Sequence, residues 1–216
     1  MKPRKNGFVF SRFEEWEPYY LRILGRLGFD RAKDEEAALL LAGLLSRDDL
    51  PFLGRLIRGR HATVCGNGPN LTDQLDRIRG NVIAADGAAN RLSARGILPA
   101  AIVTDLDGAT DAFIRMNEAG TVIVVHAHGD NMPLLRSWVP RFPGPLVGTT
   151  QAQPFDGIHN FGGFTDGDRA VFLAHALGAS GVSLAGFDLD DPGVGPVKRE
   201  KLRIARELLG LAGHDL

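Results

Sequence analysis

From residue 61 onward, short apolar runs alternate with segments of helical periodicity, and this alternation leaves very few architectures open to the chain. The runs are 61–65, 81–85, 100–104, 121–126, 145–149 and 181–185. The segments 69–79, 88–95, 110–119, 132–139 and 166–177 carry apolar residues at helical spacing. Strands separated by helices return in the same direction, so they build a mostly parallel sheet, and such a sheet is covered on both faces. Its crossovers should be right-handed.

The alternation predicts an α/β, Rossmann-like domain over residues 61–216. Residues 1–60 read differently and offer no strand candidate. Helical spacing runs from 13 to 27, Asp30 is placed to cap a second helix reaching about Leu45, and a third covers 51–58. This stretch predicts a helical cap with its boundary near Arg60. It contributes no strand-end acid and no glycine-rich turn, so it should cover the sheet or form a subunit contact, as in a homodimer. The last helix, 198–209, is basic at its start, the end where its dipole disfavours positive charge.

A net charge of -1 with 24% charged residues gives no basic surface for nucleic acid or an anionic membrane. No apolar run approaches the roughly 18 residues of a membrane span. The basic start MKPRKNGFVF lacks the apolar core of a secretory signal. A soluble, cytoplasmic protein is expected. The one cysteine, Cys65, excludes an intrachain disulfide and a multi-thiolate zinc site. It lies in a strand and reads as structural.

In open α/β sheets ligands bind beyond the carboxyl ends of the strands, and acids recur there. AIVTDLDG, 101–108, delivers Asp105 and Asp107 after an apolar run; two apart in extended chain, they project to the same side. The same pair can instead form an Asx turn or cap the helix starting near Thr110. Asp86, Asp130 and Asp188 follow other runs and fall along the same edge. Oxygen donors suit magnesium, and this outweighs a transition-metal site built from His126, His128 and Asp130 of HAHGDN.

CGNGPNL combines Gly66, Asn67 and Gly68 with Pro69 at a helix start, where free N–H groups can meet phosphate, although the third glycine of the dinucleotide fingerprint is missing. GTTQ supplies Thr149, Thr150 and Gln151 at another strand end. In FGGFTDGDRA, Gly163 belongs to a phosphate-compatible loop, while Thr165 and Asp168 have the spacing of a capping box. Lys198 and Lys201 stand one turn apart after GVGP, either on a solvated face or within reach of phosphates.

GNGPNL, ADGAANRL, ILPAAIVTDLDG, VVHAHGDN, GTTQ, NFGGFTDGDRA and AGFD, in this order, resemble the archaeal 6-hydroxymethyl-7,8-dihydropterin pyrophosphokinase family, itself related to thiamin pyrophosphokinases. The resemblance implies magnesium-dependent transfer of the β,γ-pyrophosphoryl group of ATP to the hydroxymethyl group of a reduced pterin. AMP would be released, in tetrahydrofolate or tetrahydromethanopterin biosynthesis. It implies Asp105, Asp107 and Asp130 as catalytic, metal-binding residues. Nucleotide or pterin would be held by Gly66, Asn67, Gly68, Asp86, His128, Asn131, Thr149, Thr150, Gln151, Gly163, Thr165, Asp166, Lys198 and Lys201. The residues leave the proton acceptor open among Asp130, His126 and His128. The competing readings are a thiamin-type pyrophosphokinase, a nucleotide-sugar glycosyltransferase and a non-catalytic ATP-binding module. Only the first two would turn over, and AMP release separates them.

Overall fold

Each expected apolar run forms a strand, and the strands share one sheet. The computed structural model describes residues 9–216. The strands are β1 (His61–Cys65), β2 (Asn81–Ala85), β3 (Ala101–Thr104), β4 (Val122–Ala127), β5 (Leu146–Thr150), β6 (Ile158–His159) and β7 (Gly181–Ala185). They lie in the order β6-β5-β4-β3-β2-β1-β7, and every pairing is parallel. The chain thus steps outward from β1 to β6 and then returns to place β7 on the far side of β1.

β3, β4 and β5 are buried throughout, which is why they read as continuous apolar runs. β6 escaped the sequence because two residues leave no periodicity. A second difference lies at 69–79, where the expected helix is a 3-10 segment, Pro69–Arg77. Asn70, Thr72 and Asp73 are weak helix formers, Asn70 donates to Phe187 O and Thr72 accepts from Arg91 instead, and Leu71 is the buried anchor. Cys65 is fully buried, and burial pushes its thiol up to about 12, as suits a packing role.

Eight α-helices flank the described sheet. The first three are α1 (Phe13–Leu27), α2 (Arg31–Leu44) and α3 (Leu50–Ile57). α1 turns Phe13, Trp16, Tyr20, Ile23 and Leu24 inward and stops at Gly28, whose φ of 71° suits a helix end. The Asp30 carboxylate accepts from Ala32 N and caps α2. α1 and α3 join Val64, Ile83, Val103 and Val124 in one core, while Ala37, Ala38 and Leu41 of α2 join Ile102, Ile123 and Val125 in the other. Residues before Arg60 therefore help to cover both faces.

The remaining helices are α4 (Ala88–Ser93), α5 (Asp111–Glu118), α6 (Met132–Trp138), α7 (Asp166–Ala176) and α8 (Pro196–Leu211). α7 crosses β1, β2 and β3 and packs on α8. Arg26 of α1 reaches Glu200 at 2.9 Å and Glu207 at 3.1 Å, so α8 is tied to α1 as well. Among the described residues no helix is long and apolar enough to cross a membrane.

The N-terminal helices reach the carboxyl edge of the sheet through Trp16 of α1, whose Nε1 donates to Gln151 O at 2.9 Å, and above all through Asp34 on α2, only 3% exposed. Its carboxylate accepts from Tyr20 Oη at 2.7 Å, Gln151 Nε2 at 2.7 Å and Gly129 N at 2.9 Å. Burial and this carboxylate raise the Tyr20 phenol well above its ordinary range, so it remains a donor. Asp34→Ala would strand three donors at once. A loss of about 3 kcal/mol in urea unfolding is expected, since each orphaned buried group costs roughly 1–3 kcal/mol. A loss below about 1 kcal/mol would mean that water replaces the carboxylate.

Candidate active site

The turns leaving β2 and β3 make the acidic centre. Asp86 N donates to Val103 O at 2.8 Å, which sets the two strand ends side by side. Asp86 (φ 43°) and Leu106 (φ 75°) are the non-glycine residues of positive φ among those described, and both belong to these turns. A left-handed non-glycine residue costs roughly 1–2 kcal/mol. Leu106 offsets it by burying its side chain almost completely, so the neighbours Asp105 and Asp107 are thrown outward together. Their convergence is thus made by a turn beyond the end of β3 rather than by extended strand.

Asp107 N also donates to Asp105 Oδ1 at 3.2 Å, so the Asx turn and the convergent pair are the same structure. The Thr104 hydroxyl donates to Asp86 Oδ1 at 2.6 Å and accepts from Leu106 N at 2.8 Å. Asp86, Asp105 and Asp107 each present an oxygen, all within 4.8 Å of one another. A side chain at Gly108 would lie 1.9 Å from Asp86 Oδ2, which explains the glycine. Such a trio of oxygen donors can hold a hard divalent cation.

Three like charges so placed cannot all ionise freely. Asp105 takes the charge: burial works against it, but His128 Nε2 at 3.4 Å, the Arg169 cation and Asp107 N–H hold it below the usual carboxylate range. Asp107 is pushed up to about 6 by desolvation and by the charges of Asp105 and Asp86. Asp86 is raised by burial and by Asp105, against the Thr104 hydrogen bond. Asp166 rises well above its ordinary value through burial and the charge of Asp105, although Arg169 pairs with it at 3.1 Å.

The structure brings Asp86 into this trio and leaves Asp130 outside. In the loop after β4 it is Asn131 that turns inward. Asn131 Oδ1 accepts from His128 N at 3.0 Å, and Nδ2 donates to His126 O at 2.7 Å and Asp105 O at 2.8 Å. Asp130 is carried to the exposed rim, its N–H directed to His128 Nδ1 at 3.3 Å. Asp188 is also outside, in the loop after β7, where its carboxylate accepts from Asp190 N at 3.3 Å.

The Gly66–Gly68 turn has a different use for its N–H groups from the one expected. Gly66 N donates to Ala185 O and Gly68 N to Gly186 O, so neither is free for phosphate. A Cβ at either glycine would meet Gly186 O within 2.7 Å, and close packing on the exit of β7 explains both. Asn67 alone of the three leans to the acidic centre, its amide resting against Gly87. Lys198 and Lys201 lie in the first turns of α8, which follows β7, two strands away from β2. Lys198 is exposed.

Thr149 and Thr150 end β5 and Gln151 follows it, all three buried. Thr165 and Asp168 form the expected capping box, with the Asp168 carboxylate accepting from Phe164 N and Thr165 N. Gly163 (φ 90°) lies so close to Arg169 that a Cβ would approach its backbone to 2.7 Å. Arg169 itself is 8% exposed and bridges Asp166 to Gln151 Oε1 at 3.3 Å. It went unremarked in the sequence because an arginine on a helix ordinarily reads as solvated; the signal was its place three residues after Asp166.

A model of the MptE-like family, described as 6-hydroxymethylpterin diphosphokinase MptE-like, matches residues 43–193. Three archaeal proteins named 6-hydroxymethyl-7,8-dihydropterin pyrophosphokinase are similar over most of their length. That of Methanothermobacter thermautotrophicus is 44% identical, with 90% of this chain and 92% of the relative covered. The Pyrococcus furiosus protein is 41% identical, covering 92% and 93%, and that of Methanocaldococcus jannaschii 36%, covering 81% and 79%. Among solved structures, a MAf glycosyltransferase from Magnetospirillum magneticum AMB-1 aligns at TM-score 0.47 and 18% identity, over 79% of this chain and 30% of that one.

In the metal-free protein, a carboxyl titration followed by carbon-13 NMR should show Asp107 with a midpoint near 6. Asp105→Asn should lower it by removing the neighbouring charge. A folded value above the unfolded one means that the fold favours the protonated acid. The stabilising contribution is therefore complete at low pH and is lost as pH rises through about 6. Relative to Asp107→Asn, melting temperature should fall between pH 4 and 6.5; identical profiles for the two proteins would show that neither burial nor the neighbouring charges raise Asp107.

Proposed function

The chain belongs to the MptE-like 6-hydroxymethylpterin diphosphokinase family, and from that premise we propose that it transfers the β,γ-pyrophosphoryl group of ATP to the hydroxymethyl oxygen of 6-hydroxymethyl-7,8-dihydropterin, with release of AMP. The observation that supports this chemistry most directly is the trio Asp86, Asp105 and Asp107 within 4.8 Å at the carboxyl edge of the sheet. The donors are all carboxylate oxygens, a set that fits magnesium and not a softer metal. His126, the candidate ligand that favours a transition metal, is buried against Thr149.

Magnesium held there would neutralise polyphosphate charge and favour in-line displacement at the β-phosphorus. The protein's own work is alignment. Leu106 and Gly108 hold Asp105 and Asp107 toward Asp86, His128 and Asn131 fix Asp105 from the β4 side, and Arg169 keeps Asp105 ionised. Asn67 is assigned to the nucleotide, beside the Asp86 turn. Asp130, exposed at the rim, is assigned to substrate rather than to the cation. Because Asp107 takes up a proton near pH 6, cation affinity should weaken by about tenfold per pH unit below that value.

AMP formation from ATP, with dihydropterin and thiamine offered in parallel, tests the reading. Turnover is expected with the pterin; thiamine turned over at a comparable kcat/KM would move the chain to the thiamin-type reaction. Asp105→Asn and Asp107→Asn should each leave the protein folded yet cut turnover by at least about a hundredfold, on the order of 2.7 kcal/mol. Since both serve one centre, the double variant should be little worse than the poorer single one. Small, additive losses would reduce these carboxylates to turn formers.

A further inference from the structure

Phosphoryl transfer draws on cationic groups around the moving phosphates, and the arginines near the acidic centre are committed to the protein itself. Arg169 is buried and spent on Asp166 and Gln151. Arg91 holds Gly68 O, Pro69 O and the Thr72 hydroxyl. Lys198 and Lys201 belong to α8, after β7.

A lysine from the N-terminal cap reaches the same edge uncommitted. Lys33, the third residue of α2, crosses the loop that follows β4 at Gly129. A Cβ built on Gly129 would lie 2.5 Å from Lys33 Cβ and 3.5 Å from its Cδ, so the lysine stem lies along the glycine instead of standing off into water. The crossing is fixed from within, because the neighbouring Asp34 accepts from Gly129 N at 2.9 Å. The same loop meets the acidic centre directly: His128 Nε2 stands 3.4 Å from Asp105 Oδ2, and Asn131 Nδ2 donates to Asp105 O at 2.8 Å. Lys33 is exposed, and its ammonium makes no ion pair among the described residues. Helix stability does not account for it, since a positive charge in the first turn opposes the dipole. Arg31, two residues earlier, answers that cost with Glu17 at 2.6 Å and Glu35 at 2.8 Å, whereas Lys33 has no such partner among the described residues.

We infer that Lys33 binds the γ-phosphate of ATP. This rests on the proposed pyrophosphoryl transfer and adds to it the cation that holds the far end of the transferred group. With Asn67 taking the nucleotide beside the Asp86 turn, the polyphosphate runs along the strand ends past Asp107 and Asp105, and its γ-phosphate arrives at the loop after β4. An ammonium on a flexible stem can follow that phosphate as the group passes to the pterin oxygen. The cap, which adds no acid to the centre, thus adds a cation.

The test is calorimetric binding of ATP, ADP and AMP with magnesium and without pterin, to the unaltered protein and to Lys33→Met, which keeps the stem over Gly129 and removes the charge. ATP should bind at least about tenfold more weakly to the variant, the size of a lost hydrogen bond to a charged group, while ADP and AMP, which lack the γ-phosphate, stay within about twofold. Lys33→Arg, which keeps the charge, should bring ATP back to within about threefold of the unaltered protein. If Lys33→Met does not fold, Lys33→Gln is read in the same way. ATP affinity within about twofold in the variant, or an equal loss for all three nucleotides, overturns the contact. So does a rise in the pterin KM that matches the rise for ATP, because Lys33 would then only steady the loop at Gly129. The reaction is judged separately: an unaltered protein that forms no AMP from ATP and the dihydropterin overturns the reaction, whatever the calorimetry shows.

Discussion

Mutual repulsion among three carboxylates is the constraint to which the rest of this molecule answers. Two unit charges about 4 Å apart repel by about 1 kcal/mol in water and roughly 4 kcal/mol at the effective dielectric of a protein surface. No chain collects Asp86, Asp105 and Asp107 within 4.8 Å without opposing forces elsewhere. Here they are local and specific. The Thr104 hydroxyl holds Asp86, a buried leucine stabilises a left-handed turn, His128 and Arg169 favour the charge on Asp105, and below about pH 6 a proton on Asp107 relieves the remainder.

The support extends well behind the turns. Asp34 accepts from Gln151 Nε2, Gln151 Oε1 accepts from Arg169, and Arg169 pairs with Asp166. This line of polar contacts runs from α2 across the end of β5 to the start of α7, through side chains that are mostly buried. Helices that add no acid to the trio thereby decide where the arginine beside it can sit. Networks of this kind are strong when complete and costly when broken, which places the cap and the site in one cooperative unit.

The sheet was legible because burial on both faces writes an uninterrupted apolar run, and four of its strands, Ile83, Ile102, Val124 and Val147 among them, have no exposed face to blur the signal. β6 was not legible, being two residues long. The pair Asp105 and Asp107 was visible as a spacing, but its geometry was not. Strand alternation suggested the right convergence for a reason that the left-handed Leu106 replaces. Asp86 rather than Asp130 stands in the trio because a sequence shows which acids follow strands, not which residue of a four-residue turn points inward; Asn131 took that place. Arg169 and Asp34 were hidden for one reason: a charged residue on a helix reads as solvated unless its partners, here up to 117 residues away, are known.

The position of β7 bears on how the chain acquires this structure as it is made. β1 pairs with β2 on one side and with β7 on the other, and β7 begins only at Gly181. Domains emerge from the ribosome amino end first, so for most of synthesis β1 presents an open, apolar strand edge with no partner. The Gly66–Gly68 turn closes on Ala185 and Gly186, and so it too waits for the last strand. Nascent chains that stop short of β7 expose this edge, one strand in from the rim of the finished sheet, and that is where a chaperone would have to act and where premature association would begin.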